Sequence, residues 1–204
     1  MREETLICEI EELMREEGFK VNEVTYPSTR KRALDLICEQ KGTLVIMKIC
    51  RDIDKMEKEE ANVLKALSAS LKSQMFIVGL ESKKGSLEDD VVYERHGVPA
   101  VSPQALRELV RGSNIYIYSG RGGYYVKIDG KKLRAFRESR GMSIGDLASL
   151  LGVSRKAVYE YERGVMAASI RTATKLVKLF GEEVLKPVRI DISSYNEITY
   201  PDPD

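Results

Sequence analysis

One stretch constrains this chain more than any other: Ser143-Ile-Gly-Asp-Leu-Ala-Ser-Leu-Leu-Gly-Val-Ser-Arg-Lys-Ala-Val-Tyr-Glu-Tyr-Glu-Arg-Gly164. Its spacing predicts two short helices that cross steeply and closely about a turn of about three to four residues. Close approach requires a small residue on the first helix, and Ala148 supplies it. The turn requires a residue that tolerates positive φ, and Gly152 supplies that. Val153 is expected to plug the corner, with Val158 and Tyr161 facing back onto Leu147 and Leu151. Ser154 should cap the second helix and Gly164 should end it. Ser143 should cap the first, with Asp146 as a short-armed relative of the capping-box acid. Leu133 and Phe136 before this stretch, and Ile170, Ala173, Leu176, Val177 and Phe180 after it, continue the helical spacing and complete a bundle. An unrelated helical hairpin with no nucleic-acid role is the competing reading.

Charge bears on that choice. The chain holds 33 Lys+Arg and 32 Asp+Glu, a net +1 that conceals a strong asymmetry. Residues 112–190 carry 15 basic and 7 acidic side chains, residues 1–111 carry 18 and 21, and residues 191–204 carry only 4 acidic ones. A small domain at +8 attracts polyanions, which the whole-chain balance would hide.

At these residues the chain resembles the Cro/repressor-type helix-turn-helix family. The resemblance covers about residues 131–182, including the leading Leu-Arg-Ala-Phe-Arg-Glu-Ser-Arg-Gly and the trailing Lys-Leu-Val-Lys-Leu-Phe-Gly. It implies an all-α, lambda-repressor-like bundle at 131–190 that binds double-stranded DNA. The helix 154–163 would enter the major groove by its N-terminal end, marked by Ser154. Arg155 and Lys156 match positions that read base edges, each able to pair with guanine O6/N7. Tyr159 and Glu160 match groove-facing positions one turn on, where Glu160 could accept from cytosine N4 or repel a phosphate. Ser143 and the helix N-terminus behind it would grip a phosphate, with Arg140 and Arg163 as further backbone contacts. One departure is Ile144, which stands where many members carry a Gln that buttresses the base-reading contacts.

Residues 1–111 read as an α/β domain. Helical spacing of Leu6, Ile10, Leu13 and Met14 predicts a helix over 3–17, stopped at Gly18. Strand character follows at 19–26, then at 33–39 and 43–50, the last two joined across Lys41-Gly42. An amphipathic helix is expected over 54–72 through Met56, Val63, Leu64, Leu67 and Leu71. A buried strand follows at 75–80, then a polar loop from Glu81 to Asp90 and a short strand at 98–101. Ser102-Pro103 then starts a helix to Arg111. Residues 112–130 read as a β-hairpin linker, and 191–204 as an acidic extended tail.

This order looks like the restriction-endonuclease-like core, a mixed sheet flanked by helices. That fold places a metal-binding Asp on its second strand and Glu-x-Lys on its third. Asp35 and Lys48 match two of those places, but Ile46 holds the Glu position. One carboxylate gives a divalent cation too few hard oxygen ligands to activate water, and nothing in the spacing demands Glu9 or Asp52 as substitutes. With the turn at Lys41-Gly42, Asp35 and Lys48 fall opposite each other as a cross-strand ion pair. An inactive nuclease-like domain joined to this helix-turn-helix resembles a family of archaeal transcriptional regulators. The expectation is a sequence-specific regulator that is not an enzyme, uses no metal or cofactor, and acts on DNA as a homodimer. A metal-dependent nuclease targeted by the helix-turn-helix is the alternative.

Other features are weaker. Cys8, Cys38 and Cys50 lack the spacing of a zinc site or a disulfide framework and read as free thiols. His96, the only histidine, reads as a turn residue beside Gly97. Arg30-Lys31-Arg32 reads as a basic loop. Tyr116, Tyr118, Tyr124 and Tyr125 mark the hairpin as a packing surface rather than a base-stacking one. No apolar run reaches the roughly 18 residues of a membrane span, so a cytoplasmic protein is expected. No effector pocket is legible in the sequence.

Overall fold

The computed structural model describes residues 3–26 and 32–188. Arg30, Lys31 and the acidic tail therefore lie outside the described residues. The chain divides between Ile115 and Tyr116 into two compact units.

The first unit opens with α1 (Glu3–Glu16), which buries Leu6, Ile7, Ile10, Leu13 and Met14 along one stripe. Three strands follow: β1 (Lys20–Glu23), β2 (Leu36–Gln40) and β3 (Thr43–Ile49). All pair antiparallel, and β2 meets β3 through a two-residue turn in which Lys41 and Gly42 both have positive φ. The register sets Leu36 against Met47 and Gln40 against Thr43, as the turn position predicts. A short 3₁₀ turn (Ile53–Lys55) capped by Asp52 precedes α2 (Lys58–Leu71). The expected single helix over 54–72 is broken at Met56, whose backbone is extended. Val63 and Leu71, expected on its apolar face, are exposed, while Ala61 and Leu64 carry the packing.

After α2, β4 (Gln74–Val78) runs parallel to β3. The expected polar loop from Glu81 to Asp90 holds a small hairpin, β5 (Glu81–Ser82) with β6 (Gly85–Ser86), and beyond it lies a strand that was not expected, β7 (Val91–Arg95). β7 turns at His96-Gly97, both with positive φ, into β8 (Val98–Val101), which lies parallel to β4. The sheet order is β1-β2-β3-β4-β8-β7, and α3 (Pro103–Val110) closes the unit. β4 and β8 are buried almost throughout, and β3 over Val45–Met47 and at Ile49, so their apolar residues run together rather than alternate. Ser102 caps α3 by accepting the Ala105 amide at 3.0 Å.

The second unit begins with a hairpin, β9 (Ile117–Gly120) and β10 (Gly123–Ile128). Four helices follow: α4 (Gly130–Ser139), α5 (Ile144–Leu151), α6 (Arg155–Arg163) and α7 (Ile170–Phe180). Residues 112–130 are not a free-standing linker. β10 also pairs with β11 (Ala168–Ser169) and, beyond its first half, with β12 (Leu185–Lys186). Val126 and Ile128 enter the same core as Leu133, Leu147, Leu151, Val158, Leu176 and Phe180. Pairing satisfies the amides and carbonyls that an isolated hairpin would leave to water. Tyr118 and Tyr125 stand opposite each other with ring centroids 6.0 Å apart, so this pair packs within the hairpin. Ile170, expected inside the bundle, is exposed, because Thr172 and Ala173 take the inward positions of the first turn.

Candidate nucleic-acid interface

α5 and α6 are built by local chemistry. Ser143 accepts the Asp146 amide at 3.1 Å and Asp146 accepts the Ser143 amide at 2.8 Å, a reciprocal capping box. Those bonds to Ser143 hold the Asp146 carboxyl below the usual carboxylate range. Gly152 ends α5 in the left-handed region (φ 72°, ψ 38°), and Lys175 from α7 donates to the Leu151 carbonyl at 2.6 Å. Ser154 then caps α6 by accepting the Ala157 amide at 3.1 Å, and Gly164 ends it in the left-handed region. Ala148, Val158 and Tyr161 are buried at the crossing, and Val153 and Ile144 pack against its rim.

This packing fixes which face of α6 is left. Arg155, Lys156 and Tyr159 are exposed on it. Lys156 lies 3.6 Å from the half-buried Glu160, and Arg163 stacks over the Tyr159 ring with its guanidinium 5.6 Å from the centroid. Arg155 lies back across α5. A Cβ built on Gly145 would stand 3.1 Å from its Nε and 3.2 Å from its Nη2. The fold thus brings the capped ends of α5 and α6, with Ser143, Ser154 and Arg155, to one place. Arg140 places its guanidinium over the Phe180 ring at 4.7 Å, with Phe180 stacked in turn on Phe136.

A buried ion pair supports the site and is absent from the sequence reading. Arg137 grips Glu162 through Nε at 2.5 Å and Nη2 at 3.0 Å, and donates to the Met142 carbonyl at 2.9 Å. Their side chains are 10% and 7% exposed. The bond to Glu162 raises the Arg137 pKa above the ordinary guanidinium value. The signal was positional: Arg137 follows Leu133 by four residues, on the buried face of α4.

In the first unit Asp35 and Lys48 meet as the register predicts, Nζ to Oδ2 at 3.1 Å. Asp35 is 2% exposed, and its Oδ2 also accepts the Ile49 amide at 2.7 Å. Arg32 approaches Oδ1 at 3.5 Å. Ile46 is fully buried beside them. Asp52 is spent on the Asp54 amide at 3.0 Å. Among the described residues, no group of three or more His, Cys, Asp or Glu side chains is placed to hold a metal ion. None of their helices is long and apolar enough to cross a membrane.

Comparison with known proteins agrees with both halves. Residues 3–115 match the PD-(D/E)XK superfamily domain, and residues 133–185 match a helix-turn-helix family. The chain is 36% identical over 200 residues to a protein of Pyrococcus horikoshii, covering 98% of this chain and 62% of the relative. It is 39% identical over 194 residues to one of Methanothermobacter thermautotrophicus, covering 95% and 59%. A protein of Methanocaldococcus jannaschii is 35% identical over 185 residues, with 91% and 57% covered. Each of the three is described as a "Putative HTH-type transcriptional regulatory protein". The chain spans about three fifths of the length of these relatives.

Proposed function

The chain belongs to the PD-(D/E)XK superfamily by its first domain and carries a helix-turn-helix domain as its second, and on that premise we propose that it is a sequence-specific, double-stranded DNA-binding regulator of transcription. The observation that carries this reading is the exposed face of α6, where Arg155, Lys156 and Tyr159 stand free of the core on a helix whose other face is locked. In this reading α6 lies in the major groove, Arg155 and Lys156 meet base edges, and Tyr159 and Glu160 lie one turn deeper. Ser143 and Ser154 mark two helix N-termini available to backbone phosphates, and Arg140 and Arg163 add charge at the edges.

Selecting bound sequences from random duplex DNA tests this, with Mg²⁺ present and at two salt concentrations. An enriched palindromic site in uncut DNA is the expected result. Salt-sensitive retention without enrichment sinks it. Arg155→Ala and Lys156→Ala should each cost about 1–3 kcal/mol of affinity and relax preference at one position.

The superfamily match favours a second reading, a metal-dependent nuclease guided by the same helices. The Asp35 surroundings weigh against it, because Lys48, Arg32 and the Ile49 amide already occupy the carboxylate that would hold the cation. Duplex cut by the intact protein in Mg²⁺ or Mn²⁺ would establish the nuclease instead.

A further inference from the structure

The outward face of α6 carries two rows of side chains at helical spacing, Arg155–Tyr159–Arg163 and Lys156–Glu160. All but Tyr159 are charged, and the second row is an ion pair of its own, with Lys156 3.6 Å from Glu160. Tyr159 is 51% exposed, while Val158 and Tyr161 supply the buried side of the helix, so the core does not account for a ring at this position. Leaving that much aromatic surface in water forgoes burial that a partner would supply. Nor is the ring loose. The Arg163 guanidinium lies over it, 5.6 Å from the centroid, and so covers one of its two faces.

We propose that Tyr159 is the residue through which α6 recognises a 5-methylpyrimidine, thymine in ordinary DNA and 5-methylcytosine where the DNA is modified. Base edges in the major groove present donors and acceptors, which suit Arg155, Lys156 and Glu160, and a single apolar group, the thymine C5-methyl. Tyr159 is the one exposed side chain of α6 without a charge, and its uncovered ring face is the surface that matches that methyl. Ring-to-methyl contact strands no donor or acceptor, and the phenol hydroxyl can keep a water partner. Arg163 acts here as a positioning residue, holding the ring from the other side. The inference rests on the placing of α6 in the major groove proposed above, and adds to it the identity of one base that the site must contain.

The test uses the full chain and the duplex selected as described above, with each thymine replaced in turn by uracil. That exchange removes the C5-methyl and keeps every hydrogen-bonding group of the base. Binding is measured for the wild type, Tyr159→Phe and Tyr159→Ala, with thermal unfolding confirming that each folds. At one thymine position uracil should weaken the wild type about fourfold, the worth of one buried methyl group. Tyr159→Phe should keep that penalty, and Tyr159→Ala should bind the thymine and uracil duplexes equally. At the same position 5-methylcytosine should bind more tightly than cytosine by a similar factor, again only while the ring is present. The proposal is overturned by a site with no uracil-sensitive position, or by a penalty that persists in Tyr159→Ala. A Tyr159→Phe variant that behaves like the alanine one also overturns it, since the contact then belongs to the hydroxyl. Failure of the α6 reading itself shows elsewhere, as a selection that enriches no sequence, and takes this proposal with it. An enriched site that depends on Arg155 but ignores uracil strikes the role of Tyr159 alone.

Discussion

The Arg137 guanidinium sits where water is nearly excluded, held mainly by Glu162 and the Met142 carbonyl, with Glu138 farther off at 3.5 Å. Removing one partner strands a buried charge, so Glu162→Gln should lower stability by about 3–5 kcal/mol in urea unfolding. Replacing both by apolar residues of similar volume should recover most of that loss, and a double variant no better than the single one would contradict the account. The thiols follow from burial as well. Desolvation pushes Cys38 and Cys50 up to about 12, whereas Cys8 is exposed on α1. At pH 8 a thiol reagent should therefore label Cys8 alone in the native protein and all three after denaturation. Fast labelling of Cys38 or Cys50 in the folded state would refute this. Folding favours their neutral forms, so this contribution is intact below the ordinary cysteine pKa and declines as pH rises above it.

Helix α5 depends on a cap whose acid is held below its ordinary range, and that gives a signed pH dependence. The folded state binds the Asp146 proton less tightly than the unfolded chain. Its contribution is therefore complete above the ordinary aspartate pKa near ~3.9 and is lost as pH falls through the lower folded value. Asp146→Asn should weaken the protein at pH 7 and lose its effect in acid, and an equal loss at both pH values would argue against the cap. The same helix positions Arg155. Gly145→Ala places a methyl group against the Arg155 guanidinium, the flexible neighbour that can give way. It should change stability by about 0.5 kcal/mol or less while altering base preference where Arg155 reads. Selection from random duplex would detect the change, and an identical preferred site would show that Arg155 is not steered from α5. The caps, the left-handed glycines and the apolar stripe of this element were legible because each is a local, periodic requirement. The broken helix at Met56 and the strand β7 were not, since charged residues interrupt their patterns and only the sheet completes them.

Taken whole, a single helix-turn-helix unit grips about half a palindromic site, so the proposed regulator should act as a dimer with recognition helices roughly 34 Å apart. Light scattering behind size exclusion should give twice the 23.0 kDa chain mass at micromolar concentration. A monomer, with one chain bound per site, would exclude that assembly. The sequence by itself determined the helix-turn-helix, its caps and exposed face, and the Asp35–Lys48 register, because spacing, turn type and side-chain size act between near neighbours. Only the tertiary structure decided what depends on residues far apart in the chain. It paired Arg137 with Glu162 across 25 positions and drew the hairpin into the helical unit. Those contacts are selected by packing and by the electrostatics of buried groups, and neither leaves a period in the sequence.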